Sequence, residues 1–155
     1  MNESATMHDS LIALNAELAQ ALGEAIWAFS MVERLTYRYL KILSQEGLDE
    51  LLADQALKVR IRVIRQLLGR VQGRDKIVAD VERCLDRAEK LAATRNLLAH
   101  NPWQVWVDFE QSALRSAVRK VTNESKSLDL VMVRNFRDEA GELASTFDYL
   151  LGQIH

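Results

Sequence analysis

One cysteine, one proline and three histidines are all that this 155-residue chain holds of the residues that signal disulfides, rigid turns or metal centres. With Cys84 alone there is no intrachain disulfide and no cysteine-based metal cluster. His8, His100 and His155 are too scattered to propose a metal site without further carboxylates at ligand spacing. No run of about 18 uncharged apolar residues occurs, so a membrane-spanning helix is not expected. Glu3 and Asp9 stand where a signal peptide would carry basic and then apolar residues, and the expected location is therefore the cytoplasm. No glycine-rich loop leads into a helix in the manner of a phosphate-binding loop or a dinucleotide fingerprint. G-x-S-x-G, H-E-x-x-H and the Glu/His pairs of di-iron bundles are missing as well. No cofactor is implied.

The remaining composition, 48% hydrophobic and 27% charged, is that of an ordinary globular chain with room for one domain over residues 1–155. Residues 1–9 are polar and small and read as a loose lead-in. A net charge of −2 argues against indiscriminate coating of nucleic acid, but the charge is unevenly spread. Residues 1–54 carry nine acidic and three basic side chains, whereas residues 58–76 carry seven basic ones against Asp75 alone. A local basic surface attracts phosphates even on a mildly acidic chain.

Apolar residues recur at spacings of three and four from Leu11 to Leu43, predicting a helix over 10–45 capped by Asp9 or Ser10, with Gly23 the place for any bend. Gln45-Glu46-Gly47 ends it, and Leu48 to Leu52 suits a short helical turn. Residues 54–72 form an amphipathic helix with Leu57, Ile61, Ile64, Leu67, Leu68 and Val71 on one side and arginines largely elsewhere. That basic face is either a solvated flank of a bundle or an RNA phosphate track, with Arg60, Arg62 and Arg65 as candidate contacts. Gly73 breaks the pattern, and a third long helix runs from Asp75 to His100 or Asn101.

After Pro102 the period changes to two. Trp103, Val105, Val107 and Phe109 alternate with polar residues and Trp106, and Leu114 to Val121 pair back around Glu110-Gln111-Ser112, giving a short hairpin or extended insertion. Trp103 either walls a cleft beside His100, as a candidate RNA contact, or packs as core. Thr122 to Ser127 reads as a polar connector. Ser127 or Asp129 then caps a last amphipathic helix running from Leu130 nearly to the C-terminus.

The stretch with the most chemistry lies where the third helix stops. Ile77, Val81, Cys84, Ala88, Leu91 and Ala92 share one stripe, and Arg95 falls in its middle. A guanidinium there needs an acidic partner or a wet cleft, because burying it unpaired costs several kcal/mol. Asn96 and His100 are one turn apart on the neighbouring face, and Pro102 disfavours helix at Asn101, which suits a left-handed cap there. Glu33, close to Phe29 and Ile26 on the first helix, is either a solvated flank residue or the partner that fixes Arg95. Arg95 and His100 also suit a plain helix C-terminus, where cations favour the macrodipole.

Arg95-Asn96-Leu97-Leu98-Ala99-His100 resembles the R-x4-6-H signature of the HEPN superfamily, including the polar residue directly after the arginine. The first helix, with Trp27, Val32-Glu33 and Leu40, and the order of the later helices are similar to that family too. The resemblance implies a mainly all-α fold, a four- to five-helix up-and-down bundle interrupted by the hairpin or extended insertion. It also implies a metal-independent endoribonuclease, in some members the toxin of a toxin–antitoxin pair or a defence component, with the antitoxin protein as partner. The implied catalytic residues are Arg95, Asn96 and His100, supported by Glu33, in a composite cleft formed by a homodimer.

RNA carries its own nucleophile, so cleavage requires a base for the 2′-hydroxyl, a cation for the crowded phosphorane and an acid for the leaving 5′-oxygen. Imidazole suits the proton transfers and a guanidinium suits two phosphate oxygens. Two other readings stay open: a catalytically silent HEPN-type RNA-binding or dimerisation module, and a regulatory dimer in which Arg95 recognises a nucleotide phosphate.

Overall fold

A computed structural model describes residues 3–44, 47–111 and 113–154. Among them the chain forms α1 (Glu3–Leu43), α2 (Leu48–Leu51), α3 (Leu57–Leu68), α4 (Asp75–His100), β1 (Trp103–Asp108), β2 (Ala113–Lys120), β3 (Asn123–Leu128) and α5 (Leu130–Leu151). The architecture is mainly helical with a small antiparallel sheet in the order β1-β2-β3. No described helix is long and apolar enough to cross a membrane.

The 41 residues of α1 span about 60 Å and serve as the spine. Leu18, Ala21, Ala25, Phe29, Val32, Leu35, Tyr39 and Leu40 are all buried, and their spacing of three and four lays them along one stripe. The matching stripe of α5 runs the same way: Phe136 stacks on Phe29 with ring centroids 5.9 Å apart, and Phe147 on Tyr39 at 4.3 Å. The Tyr39 hydroxyl donates to the Phe147 carbonyl at 2.9 Å, which satisfies a polar atom that this packing buries. Burial pushes the Tyr39 phenol well above its usual range. On the other side of α1, Ile61, Ile64 and Leu68 of α3 and Val81, Leu85, Ala88 and Leu98 of α4 complete one core, with Val118 of β2 closing its end. Cys84 is buried in it, as its place on the apolar stripe predicts.

Helix α3 also runs parallel to α1, since Arg60 bonds to Thr36 while Val63 and Leu67 share a cavity wall with Leu43. Helix α4 opposes both. The alternation α3–α4–α5 is therefore up-and-down, and the return from α1 to α3 is made by the segment that holds α2.

Several boundaries differ from the sequence reading. Helix α1 already starts at Glu3, so residues 3–9 are helical and neither Asp9 nor Ser10 is its cap; extending a formed helix through good helix formers such as Glu3, Ala5 and Met7 costs little. The helix is continuous through Gly23, where an added Cβ would meet open space. Gln45 and Glu46 of the expected stop lie outside the described residues, and Gly47 (φ 64°) enters α2 in the left-handed conformation that glycine allows. The helix expected over 54–72 is shortened to Leu57–Leu68, and Gly73 (φ 73°) turns the chain into α4.

The largest correction is the sheet, which has three strands where a hairpin was expected. The supposed polar connector is β3, paired with β2 from Val118↔Leu128 to Lys120↔Asn123 across an irregularity at Arg119/Lys120. Its first five residues are exposed, so the backbone ladder holds it and no apolar alternation betrays it. Ser112 of the expected β1–β2 turn lies outside the described residues. Asp129 is the cap of α5, its carboxylate accepting from the Met132 amide at 2.8 Å.

This packing can be tested at two positions in the first half of α5. Asp129→Ala removes the cap and lowers unfolding free energy by about 1 kcal/mol, measurable in a urea titration. Arg137 of α5 bonds Glu24 of α1 at 2.7 Å and Asp138 at 2.8 Å. The Gln20 amide and then Arg137 hold the Glu24 carboxyl below its ordinary range, and Arg137 does the same for Asp138. Folded-state depression stabilises above the unfolded carboxylate range and fades as the pH falls through the folded one. Arg137→Gln is therefore expected to lose less stability on acidification than the wild type, by denaturant midpoints across an acid series.

Candidate functional site

Helix α4 crosses α1 so that the arginine on its apolar stripe meets the carboxylate on the flank of α1. Arg95 Nη2 donates to Glu33 Oε1, forming an ion pair between side chains only 29% and 22% exposed. Its Nη1 donates to Asn96 Oδ1 at 3.0 Å, and the guanidinium carbon lies 5.7 Å from the centre of the Phe29 ring. Phe29 and Glu33 are one turn apart on α1, so one helix supplies both the aromatic face and the anion. The need created by a cation on an apolar stripe is met by a pair that remains partly wet.

Two cavities open on either side of this pair, and Glu33 and Arg95 line both. One, of about 500 Å³, lies between α1 and the start of α3 and is also lined by Arg34, Tyr37, Gln55 and Arg60. The other, of about 630 Å³, runs along α4 past Lys58, Glu89, Ala93 and Asn96. A further cavity of about 430 Å³, between α1 and α5, is walled by Ala28, Met31, Leu35 and Ala144 together with Arg34 and the Arg38–Asp148 ion pair, and holds none of the motif.

His100 is exposed at the end of α4, one turn beyond exposed Asn96, and lines neither of the two cavities at Arg95. It makes no hydrogen bond or ion pair with any described residue. Glu33, Arg95 and Asn96 are thus joined in one hydrogen-bonded chain, while the imidazole stands apart on the outer edge. Beyond it the helix stops abruptly. Asn101 adopts φ −131° and ψ 141°, extended rather than the left-handed cap expected, as the ring of Pro102 demands of its predecessor. Its amide nitrogen donates to the Leu97 carbonyl at 2.8 Å and its carbonyl oxygen accepts from the Val121 amide at 3.0 Å. One side chain thereby ends α4 and anchors the sheet beside it.

The remaining candidates are dispersed. Trp103 packs against the core, its buried Nε1 without a partner among the described residues, so its ring is not an open platform for a base. Trp106 is more open, and Arg119 covers it at 4.1 Å from the ring centre. The basic face expected of the second long helix is not what α3 presents. Arg65 is clasped by Glu82, Asp86 and Glu89 of α4, at 3.0, 2.6 and 3.2 Å. Arg60 turns inward onto Tyr37, and only Arg62 of the three stands exposed. The signal was present in the spacing: Arg60 shares the i, i+3, i+4 face of Leu57, Ile61 and Ile64. Arg34 and Tyr37, not among the candidates named from the sequence, also line the first cavity beside Arg95.

A double-mutant cycle with Glu33→Gln and Arg95→Met should return a coupling of about 1–2 kcal/mol in denaturant unfolding, above the usual worth of an exposed pair. A coupling indistinguishable from zero would mean that the two side chains are held by their helices and not by each other. Compared with family models, with curated proteins and with solved structures, the chain matches none.

Proposed function

We propose that the edge of α4 from Arg95 to His100 is half of a metal-independent ribonuclease site of the HEPN kind, completed when two copies of the chain pair about a two-fold axis. The observation that carries this reading is the chain Glu33–Arg95–Asn96 at the mouth of two cavities, with an exposed imidazole one helical turn away. A guanidinium has five N–H donors. Glu33 and Asn96 engage two of its nitrogens and fix its plane, and the remaining donors are available to phosphate oxygens. His100 takes the proton from a 2′-hydroxyl, whose oxygen attacks the adjacent phosphorus, or delivers one to the departing 5′-oxygen. The products are a 2′,3′-cyclic phosphate and a free 5′-hydroxyl. A single chain has one such histidine, and the partner copy supplies the second. A role as the toxin of a toxin–antitoxin pair, or in defence, belongs to the same reading.

One observation favours the alternative of a catalytically silent RNA-binding or dimerisation module. Arg95 already has an acidic partner within its own chain, as a helix-tying residue would.

Labelled single-stranded RNA incubated in excess chelator with wild type, Arg95→Ala and His100→Ala separates the two. Cleavage by the wild type that leaves cyclic phosphate ends, reduced about 10²- to 10⁴-fold in His100→Ala, is the expected outcome. Equal cleavage by all three proteins, or none by a correctly folded wild type, overturns the catalytic reading in favour of the module.

A further inference from the structure

The cavity between α1 and the start of α3 has a wall that the nuclease reading does not use. Arg60 is only 4% exposed, yet no carboxylate of the described residues lies within 4.0 Å of its guanidinium. Neutral groups hold it instead. Its Nε donates to Thr36 Oγ1 at 3.0 Å, its Nη1 to the Gln55 carbonyl at 2.5 Å, and its plane lies over the Tyr37 ring at 4.2 Å from the centre. Nη2 makes no hydrogen bond with any described residue. A buried, immobilised cation without an anion is costly, because desolvation is not offset by Coulomb attraction.

The charge left uncancelled elsewhere on the wall has the same sign. Arg34 is exposed and has no ion pair among the described residues, and Arg95 lines the cavity too. Glu33 is the sole carboxylate in the described lining, and Arg95 already neutralises it. Helix α3 begins at this cavity with Ala56 and Leu57 in its wall, no side-chain cap and no acidic residue in the first turn, so the positive end of its macrodipole is unmatched. At about 500 Å³ the space exceeds what a lone phosphate fills and accommodates a phosphate with an attached sugar.

We infer that this cavity is a phosphate-binding site, with Arg60 as the fixed floor, Arg34 as the exposed arm and the start of α3 contributing backbone N–H groups. The phosphate is that of a mononucleotide or of an RNA strand. The inference does not depend on the chain cleaving RNA.

Calorimetric titration of the full chain with inorganic phosphate, adenosine 5′-monophosphate, adenosine and a short single-stranded RNA, at matched ionic strength, tests it. Saturable binding of phosphate and of the monophosphate, but not of adenosine, is expected. Arg34→Gln weakens it roughly tenfold or more, as loss of one charge-assisted hydrogen bond implies, and Arg60→Met abolishes it. Lys126→Gln, a charge loss on exposed β3, leaves it unchanged. A monophosphate that outbinds the RNA identifies a small-molecule site, and the reverse a strand-binding one; both support the assignment. Should Arg60→Met fail to fold, Arg34→Gln still decides. No saturable phosphate binding by the wild type, or binding that Arg34→Gln leaves untouched, overturns the proposal, and His100→Ala run in parallel shows that the outcome is independent of turnover.

Discussion

Arginines set on apolar helix stripes govern how the helices of this protein face one another. Leaving a guanidinium unpaired at an interface is costly, which favours helix arrangements in which each finds a partner. Arg95 of α4 finds Glu33 of α1, and Arg65 of α3 finds the acidic row Glu82, Asp86 and Glu89 of α4. Arg137 of α5 finds Glu24 of α1. The interdigitated core fixes the rotation of these helices most tightly, and the charge pairs add a requirement about which faces meet. The arrangement is the logic of specificity more than of net stabilisation, since partly exposed pairs add little free energy but their disruption leaves a stranded charge.

Arg60 departs from that pattern. It is the most buried arginine of the group, and its partners are a hydroxyl, a carbonyl and a tyrosine ring. These engage two of its nitrogens without cancelling the charge. Together with Arg34 and the uncapped start of α3, this leaves a positive cavity next to the neutralised Glu33–Arg95 pair. A low-dielectric wall strengthens the field there beyond that of an equal number of surface lysines.

The sheet plays a different part. It comes immediately after α4, and Asn101 links the last turn of the helix to Val121 at the end of the second strand. Abrupt termination of α4 leaves His100 exposed at the helix end, outside the lining of the two Arg95 cavities.

Periodicity alone was enough for the long elements. The bounds of α4, the apolar stripes of α1 and α5, the burial of Cys84 and the pairing of β1 with β2 were all legible, because helical and strand repeats record which face a core must cover. The potential of Glu33 to meet Arg95 was legible too, since two charges on apolar flanks require each other. Strand β3 was not, because an exposed edge strand is specified by the ladder of its neighbour and not by its own side chains. Spacing placed Arg60 on an apolar face and offered core packing for Trp103, but it could not reveal that Arg65 would be consumed by α4 or that a cavity would open beside Arg60. Those outcomes depend on which helices meet and at what rotation. The sequence by itself determined the elements and the faces they bury; only the tertiary structure decided which charges are cancelled and which are left to act, because cancellation requires two chain segments to come within a few ångströms.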